Sequence, residues 1–243
     1  MTVDRTRSAE TGVESQPVRS RKAPLVDRVT DLLRNAIINL ELAPGDRLAA
    51  EEIAGRFAVS PTPVREAFAR LAGEGFVVAL PQRGVRVSEI TAADVRDLYE
   101  MRLLLEPVAI RRSVERSTDQ WIDLIETSFA DMIAAGSADL AALSPAEYAV
   151  HEELHVAFHR ATLSQCDSVW LRRFTDTMLD NSRRVRQLTL AVRTDFTTIV
   201  TEHRAIADAC VTGDADLAVQ HHTHHLWRTI DAFDAWASRQ HSP

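Results

Sequence analysis

Val59-Ser60-Pro61-Thr62-Pro63-Val64-Arg65-Glu66-Ala67 is the stretch on which the fold turns. Ser60 suits a helix N-cap, and Pro61 suits the first helical position, where a missing N–H costs nothing. Pro63 is tolerable only because it still lies within the first turn. The helix that opens here puts Val64, Ala67, Phe68 and Leu71 on one face and Thr62, Arg65, Glu66, Ala69 and Arg70 on the others. Upstream, Leu25, Val29, Leu32, Leu33, Ala36, Ile37 and Leu40 recur every three or four residues, which predicts a first helix that Pro44-Gly45-Asp46 stops. A short second helix follows, with Ile53, Ala54 and Phe57 inward. Downstream, Gly73-Glu74-Gly75 ends the third helix and the period changes. Phe76 to Leu80 is short and apolar, Pro81-Gln82-Arg83-Gly84 is a turn cluster, and Val85-Arg86-Val87 alternates, so a β-hairpin is expected. Three helices and a hairpin make residues 25–88 a winged helix-turn-helix.

On either side the chain changes character. Residues 1–24 show no periodicity, and Pro17 and Pro24 bracket Arg19, Arg21 and Lys22, which reads as a disordered basic tail. After Ser88 the pattern is helical throughout. Thr91 is placed to cap a helix with Asp94 in the capping-box position, and Pro107 is expected to kink that helix. Further helices are expected at about 119–135, 145–165, 168–191, 195–212 and 214–239; Ser144-Pro145-Ala146-Glu147 is a start signal, and Gly213-Asp214 is the clearest break. Residues 89–243 therefore read as an all-α bundle of about six helices. The fold class is mainly α, a winged helix-turn-helix followed by that bundle.

Composition narrows the class of function. Of 243 residues, 45% are apolar and 26% charged, a globular mixture. No apolar run approaches the roughly 18 residues of a membrane span, no secretory signal opens the chain, and two cysteines, Cys166 and Cys210, fit small buried hydrophobes in a reducing cytoplasm. The net charge of −7 is unevenly spread: residues 1–88 carry +2 and residues 89–243 carry −9. That excludes nucleic-acid binding by the whole surface and leaves room for one neutral-to-basic reading module.

A major groove admits one α-helix, which must offer donors to base edges from its first turns. Thr62, Arg65 and Arg70 point away from the apolar face, and Arg65 is the best base reader because its guanidinium fork can bridge O6 and N7 of guanine. Arg47, Arg83 and Arg86 fall at the module's edges, and Arg83-Gly84 at a hairpin tip suits backbone or minor-groove contact.

Histidine is even more unevenly spread: none of nine precedes residue 151, and eight lie between 151 and 225. His155 and His159 share a helix face, His151 extends that row, His203 sits on the next-to-last helix, and His221 and His225 are again four apart on the last. Imidazoles from separate helices are how a bundle builds a transition-metal site in its core, and an imidazole-rich set favours Zn, Ni or Cu over Mg or Ca. His151, His221, His222, His224 and His241 are read as solvated.

Pro44-Gly45-Asp46-Arg47-Leu48, Glu51-Glu52-Ile53-Ala54 and Val59 to Ala67 together resemble the signature of GntR-family bacterial transcription regulators. Arg102-Leu103-Leu104-Leu105-Glu106-Pro107, Phe158-His159-Arg160-Ala161, Glu202-His203-Arg204-Ala205-Ile206, Gly213-Asp214 and His225-Leu226 resemble the ligand-sensing FCD domain of that family's FadR-type branch. The resemblance implies metal ligands at His159, His203 and His225 and at the residue four before His159. The family usually has Asp there, and this chain has His155. Two further departures are Pro61, where the family usually has Arg, and Ser168, where it often has Asn. The resemblance also implies a small organic acid as effector. Arg102 is then either a bidentate partner for its carboxylate or an ion-pair partner of Glu106 on its own helix.

The expected function is a cytoplasmic, nucleoid-associated, metabolite-responsive transcription regulator that binds double-stranded operator DNA as a homodimer, each winged module reading one half-site of a near-palindrome. Its cofactor is a divalent transition metal, Zn or Ni, its effector a small carboxylate, and it has no membrane partner. Two alternatives stand beside it. One is a helical metallohydrolase using Glu152 or Glu202 as general base, for which no HExxH motif is present. The other is a DNA-binding protein without an effector.

Overall fold

A computed structural model describes residues 24–240 except 82, 191, 193 and 194; the expected tail and His241 lie outside the described residues, Pro24 apart. The winged module comprises α1 (Leu25–Ile38), β1 (Arg47–Leu48), α2 (Ala50–Phe57), α3 (Pro61–Gly73), β2 (Val77–Leu80) and β3 (Gly84–Val87). Ser60 stands at the N-cap of α3 with extended backbone but without a side-chain capping bond, and Pro61 opens the helix. Val64, Ala67, Phe68 and Leu71 do form its buried face, in one core with Val29, Leu33 and Ile37 of α1, with Phe76 just before β2, and with Val77 and Val87 of the sheet.

The expected hairpin is part of a three-stranded antiparallel sheet in the order β1-β3-β2. Val77 pairs with Val87 and Leu80 with Gly84, while Arg47 pairs with Arg86 and Leu48 with Val85. Two-residue β1 carries no periodicity of its own. It is a strand only because the turn at Gly45, whose N–H donates to the Val87 carbonyl (3.0 Å), delivers it to the free edge of β3. Gly84 begins β3 with φ of 85°, a backbone region that side-chain-bearing residues avoid.

The bundle comprises α4 (Ala92–Val114), α5 (Asp119–Ala134), a single 3₁₀ turn (Leu140–Ala142), α6 (Pro145–Leu163), α7 (Val169–Thr189), α8 (Phe196–Val211) and α9 (Ala215–Gln240). Thr91–Asp94 and Ser144–Glu147 are both complete capping boxes, and α4 continues unbroken through Pro107. Trp121, Ile125, Phe129, Phe158, Ile206 and Cys210 lie in one apolar core, and Val95, Tyr99, Val185, Leu226 and Phe233 in a second. Cys166 and Cys210 are both free and buried. Burial pushes the Cys210 thiol up to about 12, so it is an inert core side chain.

Helix α7 also holds the winged module. Asn181 Nδ2 donates to the Glu74 carbonyl at the end of α3 (2.8 Å), and Arg184 donates to the Ser88 carbonyl just before the linker. Arg184 is buried, which lowers its guanidinium to about 10, partly offset by Asp94 and Glu89.

Candidate metal centre and nucleic-acid interface

The i, i+4 spacing on α6 stacks His155 and His159 on one face, and α8 and α9 bring His203 and His225 against them. All four side chains are buried, and one ring nitrogen from each lies within 4.8 Å of the others. His159 Nε2 is 3.3 Å from His155 Nε2 and 3.2 Å from His203 Nε2. A tetrahedral ion with metal–nitrogen bonds of about 2.0–2.1 Å needs donor–donor edges of about 3.3–3.4 Å, so these separations fit such an ion.

The tautomers fit as well. His203 Nδ1 donates to the Ile199 carbonyl (2.7 Å) and His225 Nδ1 donates to Glu202 Oε2 (3.0 Å). A carbonyl or carboxylate oxygen only accepts, so both Nδ1 atoms carry a proton, which leaves Nε2 as the nitrogen that can ligate. Such outer partners are the usual way a ligating imidazole is oriented. Burial, reinforced by Arg186 and the neighbouring imidazoles, holds His155 well below the ordinary imidazole value of 6.5; burial with His203, His222 and Arg102 does the same to His159. These two rings are therefore biased toward the neutral state, which is the one that binds a cation.

His155 and His203 also wall a cavity of about 40 Å³, shared with Tyr148, His151, Glu152 and Arg186. Arg186 of α7 donates to Glu152 Oε1 through Nε (2.8 Å) and Nη2. Burial opposes the Arg186 charge, but Glu152 outweighs it and raises its pKa. His151, expected in solvent, is only 2% exposed, because the row on α6 is turned wholly inward; its Nδ1 has no partner. His222 departs from expectation in the same way. It is fully buried and donates to Glu106 Oε2 (2.6 Å).

Arg102 takes the second of its two expected arrangements. It does not line the cavity beside the imidazoles; it lies fully buried, donating to both carboxylate oxygens of Glu106 (2.6 and 3.1 Å) and to Ser182 Oγ (3.0 Å). Burial alone would raise Glu106, but Arg102 and His222 outweigh it and hold the carboxyl at about 2. Sequence reasoning passed over Arg186. The signal was present in α7, where Leu179, Ser182, Arg186 and Thr189 share a face, but an arginine on that stripe looks like a flaw in the pattern.

In the winged module Arg47, Thr62, Arg65, Arg70, Arg83 and Gly84 are all exposed. Thr62 and Arg65 occupy the first turns of α3, and Arg65 meets Glu51 of α2 in an exposed pair (2.5 Å) worth little in water. Arg83 and Gly84 form the tip of the β2–β3 turn, and Arg47 faces Arg86 across β1–β3. Arg70 stands apart. It pairs with Asp27 of α1 (2.5 Å) and borders a cleft that Trp170, Arg173 and Phe174 of α7 complete.

A winged helix-turn-helix module joined to an all-helical bundle is an architecture of bacterial transcription regulators. Residues 25–87 match the gntR family of bacterial regulatory proteins and residues 97–228 match the FCD domain, and the chain belongs to this GntR/FCD family. It is 30% identical over 193 residues to the HTH-type transcriptional regulator BphR of Paraburkholderia xenovorans, an alignment covering 79% of this chain and 78% of that one. It is 31% identical over 216 residues to an HTH-type transcriptional regulator in an unstable DNA locus of Streptomyces ambofaciens, covering 87% and 85%. Among solved structures, E. coli McbR/YncC superposes with a TM-score of 0.74 at 18% identity, covering 88% of this chain and 99% of that one. A GntR regulator from Rhodococcus sp. RHA1 gives 0.69 at 22%, covering 86% and 97%. The relatives are DNA-binding transcription regulators, not enzymes. Both carboxylates that a metallohydrolase would need as base are engaged, Glu202 by His225 and Glu152 by Arg186. No helix among the described residues is long and apolar enough to cross a membrane.

Proposed function

We propose that this regulator is a metal-containing, acid-responsive switch of the bacterial cytoplasm that binds a near-palindromic operator in double-stranded DNA as a homodimer. The observation that carries this reading is the convergence of four buried imidazoles from three helices in the core of the bundle. His155, His159, His203 and His225 would hold the ion. An all-nitrogen set selects Zn or Ni over Mg, and His155 in place of a carboxylate leaves the loaded site more positive. The ion would supply an attraction for a carboxylate effector in the adjoining cavity.

Helix α7 supports a mechanical route from effector to DNA, because Asn181 and Arg184 grip the winged module while Arg186 and Thr189 line the cavity. An effector shifts the reading heads only insofar as it binds their two arrangements with different affinity. Met101, Leu104 and Val108 form an exposed apolar row on α4, which supports dimerisation through the bundle. On DNA, Thr62 and Arg65 would read bases, and Arg47, Arg83 and Gly84 would meet the backbone or minor groove. Arg70, exposed on α3 beside Asp27, would meet the phosphate backbone.

The test is a pair of substitutions in the full chain, purified without a His tag. Arg65→Ala should weaken specific operator binding by about 1–3 kcal/mol and blur preference at one base position, with metal content unchanged. His203→Ala should lower metal content, measured by elemental analysis. Wild-type protein without stoichiometric metal defeats the metal reading, and DNA binding insensitive to salt defeats the operator reading.

A further inference from the structure

Trp170 is 65% exposed and Phe174 54%, and they stand four residues apart in the first turns of α7, so both rings lie on one face of the helix. Large aromatic rings are mostly buried, and a contiguous exposed pair is the kind of surface that a ligand or partner covers. The ring centroids are 6.1 Å apart with an interplanar angle of 28°, which makes one continuous aromatic surface. The Arg173 guanidinium lies 5.6 Å from the centre of the Trp170 ring, within cation–π range. These three side chains border a cleft of about 640 Å³, a size typical of small-molecule sites, and Arg34, Arg70 and Phe76 line it from the winged module. Its two acids are already engaged, Glu74 by Arg34 (2.9 Å) and Asp180 by Arg160 (2.8 Å), whereas Arg173 makes no ion pair among the described residues. The unbalanced charge at the cleft is therefore positive. Trp170 and Arg186 lie toward opposite ends of α7, about 24 Å apart along its axis, so this cleft is separate from the cavity beside the imidazoles.

We infer that this cleft binds a purine nucleoside 5′-phosphate, its base stacked on the exposed faces of Trp170 and Phe174 and its phosphate held by Arg173. The site is independent of the metal centre and of the proposed acid effector. A fused two-ring base spans more of a two-ring surface than a single ring does, and stacking asks for no hydrogen-bond complement from the chain. Phosphate suits the charge better than carboxylate. It offers three acceptor oxygens and close to two negative charges to a cleft lined by three guanidinium groups. No covalent bond is made or broken. The walls belong to α7 on one side and to the winged module on the other, so an occupant favours the arrangement of modules that keeps them together.

The experiment is calorimetric titration of the full-length protein with AMP, GMP, CMP, adenosine, ribose 5-phosphate and benzoate, with the oligomeric state followed by sedimentation. AMP and GMP are expected to bind most tightly, CMP less tightly because its base has one ring, and the other three weakly. Trp170→Ala should weaken AMP binding about fivefold or more, the lower end of what one base–aromatic stack contributes. Trp170→Phe keeps a stacking face and should stay close to wild type. Arg173→Gln should weaken AMP about tenfold, the scale of one lost charge-assisted hydrogen bond, and leave adenosine unmoved. Both side chains are exposed, so these variants should melt at the wild-type temperature. No binding of either purine nucleotide at millimolar concentration would overturn the inference, as would AMP affinity unmoved by Trp170→Ala. Ribose 5-phosphate binding as tightly as AMP would reduce the site to a phosphate contact, and benzoate binding more tightly than AMP would make it a site for aromatic acids; either result overturns it. A change of oligomeric state in Trp170→Ala overturns it too, because the aromatic pair is then an interface between copies of the chain. None of these results touches metal content or operator binding, so the proposed function stands or falls separately.

Discussion

Among the described residues of the winged module, Thr30 is the one buried polar side chain, and its hydroxyl donates to the Val26 carbonyl (2.8 Å). The bundle buries Arg102, Glu106, His151, Glu152, His155, His159, His203, His222 and His225, and leaves Nδ1 of four of these imidazoles unpartnered. One module keeps its charges outside, where DNA can be met, and closes an apolar core that needs nothing further. The other carries charge and lone pairs through its centre at a cost in desolvation. The contrast separates a core whose polar groups are satisfied from one that keeps several buried polar atoms unpartnered.

The largest expected effect lies in the fully buried Arg102–Glu106 pair. Glu106→Ala removes one partner and strands a guanidinium, and should cost about 3–5 kcal/mol, read from denaturant unfolding. All four tryptophans, at 121, 170, 227 and 236, belong to the bundle, so their fluorescence follows that module while hydrogen exchange follows the winged one. If Glu106→Ala melts the two modules together, α7 ties them more tightly than the contrast allows.

Metal removal comes next. An ion present at about a hundredfold over its Kd adds about 2.7 kcal/mol to whatever binds it, so chelation should lower the melting temperature of the bundle. The chelated protein should also be acid-sensitive. Burial holds His155 and His159 below 6.5, so the unfolded chain binds more protons than the folded one once pH drops under about 6.5; stability then falls with pH toward the lower folded values. The winged module has no histidine and should show no such loss in hydrogen exchange followed residue by residue. An equal loss in both modules would break the comparison.

The smallest effect sharpens it at the level of single caps. Ser144 accepts from Glu147 N within a complete capping box, whereas Ser60 makes no side-chain capping bond. Ser144→Ala should cost about 1 kcal/mol and Ser60→Ala close to nothing, both by thermal unfolding.

The winged module was almost wholly legible because local rules and tertiary structure agree there: periodicity, proline position and turn residues all point one way. β1 escaped, since two residues carry no pattern and only the partner strand makes them a strand. In the bundle, helix positions were legible from caps and spacing, and the shared face of His155 and His159 from their i, i+4 spacing, whereas His203 and His225 were picked out by the family resemblance. The surroundings of the cluster were not. Whether His151 faces water, whether His222 meets Glu106, and which arginine borders the cavity depend on how helices rotate against one another, and that is fixed by packing across sequence separations of thirty residues or more. Buried polar residues also blur the very stripe that would reveal their orientation.

Helix α7 carries its grip on the winged module at Asn181 and its cavity lining at Thr189, eight residues apart, or about 12 Å along one axis. A rigid rod of that length has no preferred direction of traffic. If the proposed acid and the operator favour different arrangements of the two modules, whatever free energy the acid spends against DNA binding, the DNA must exact in return from acid binding, in equal measure. Under that reading, copies seated on DNA would be the poorest scavengers of the signal, and copies adrift in solution the best.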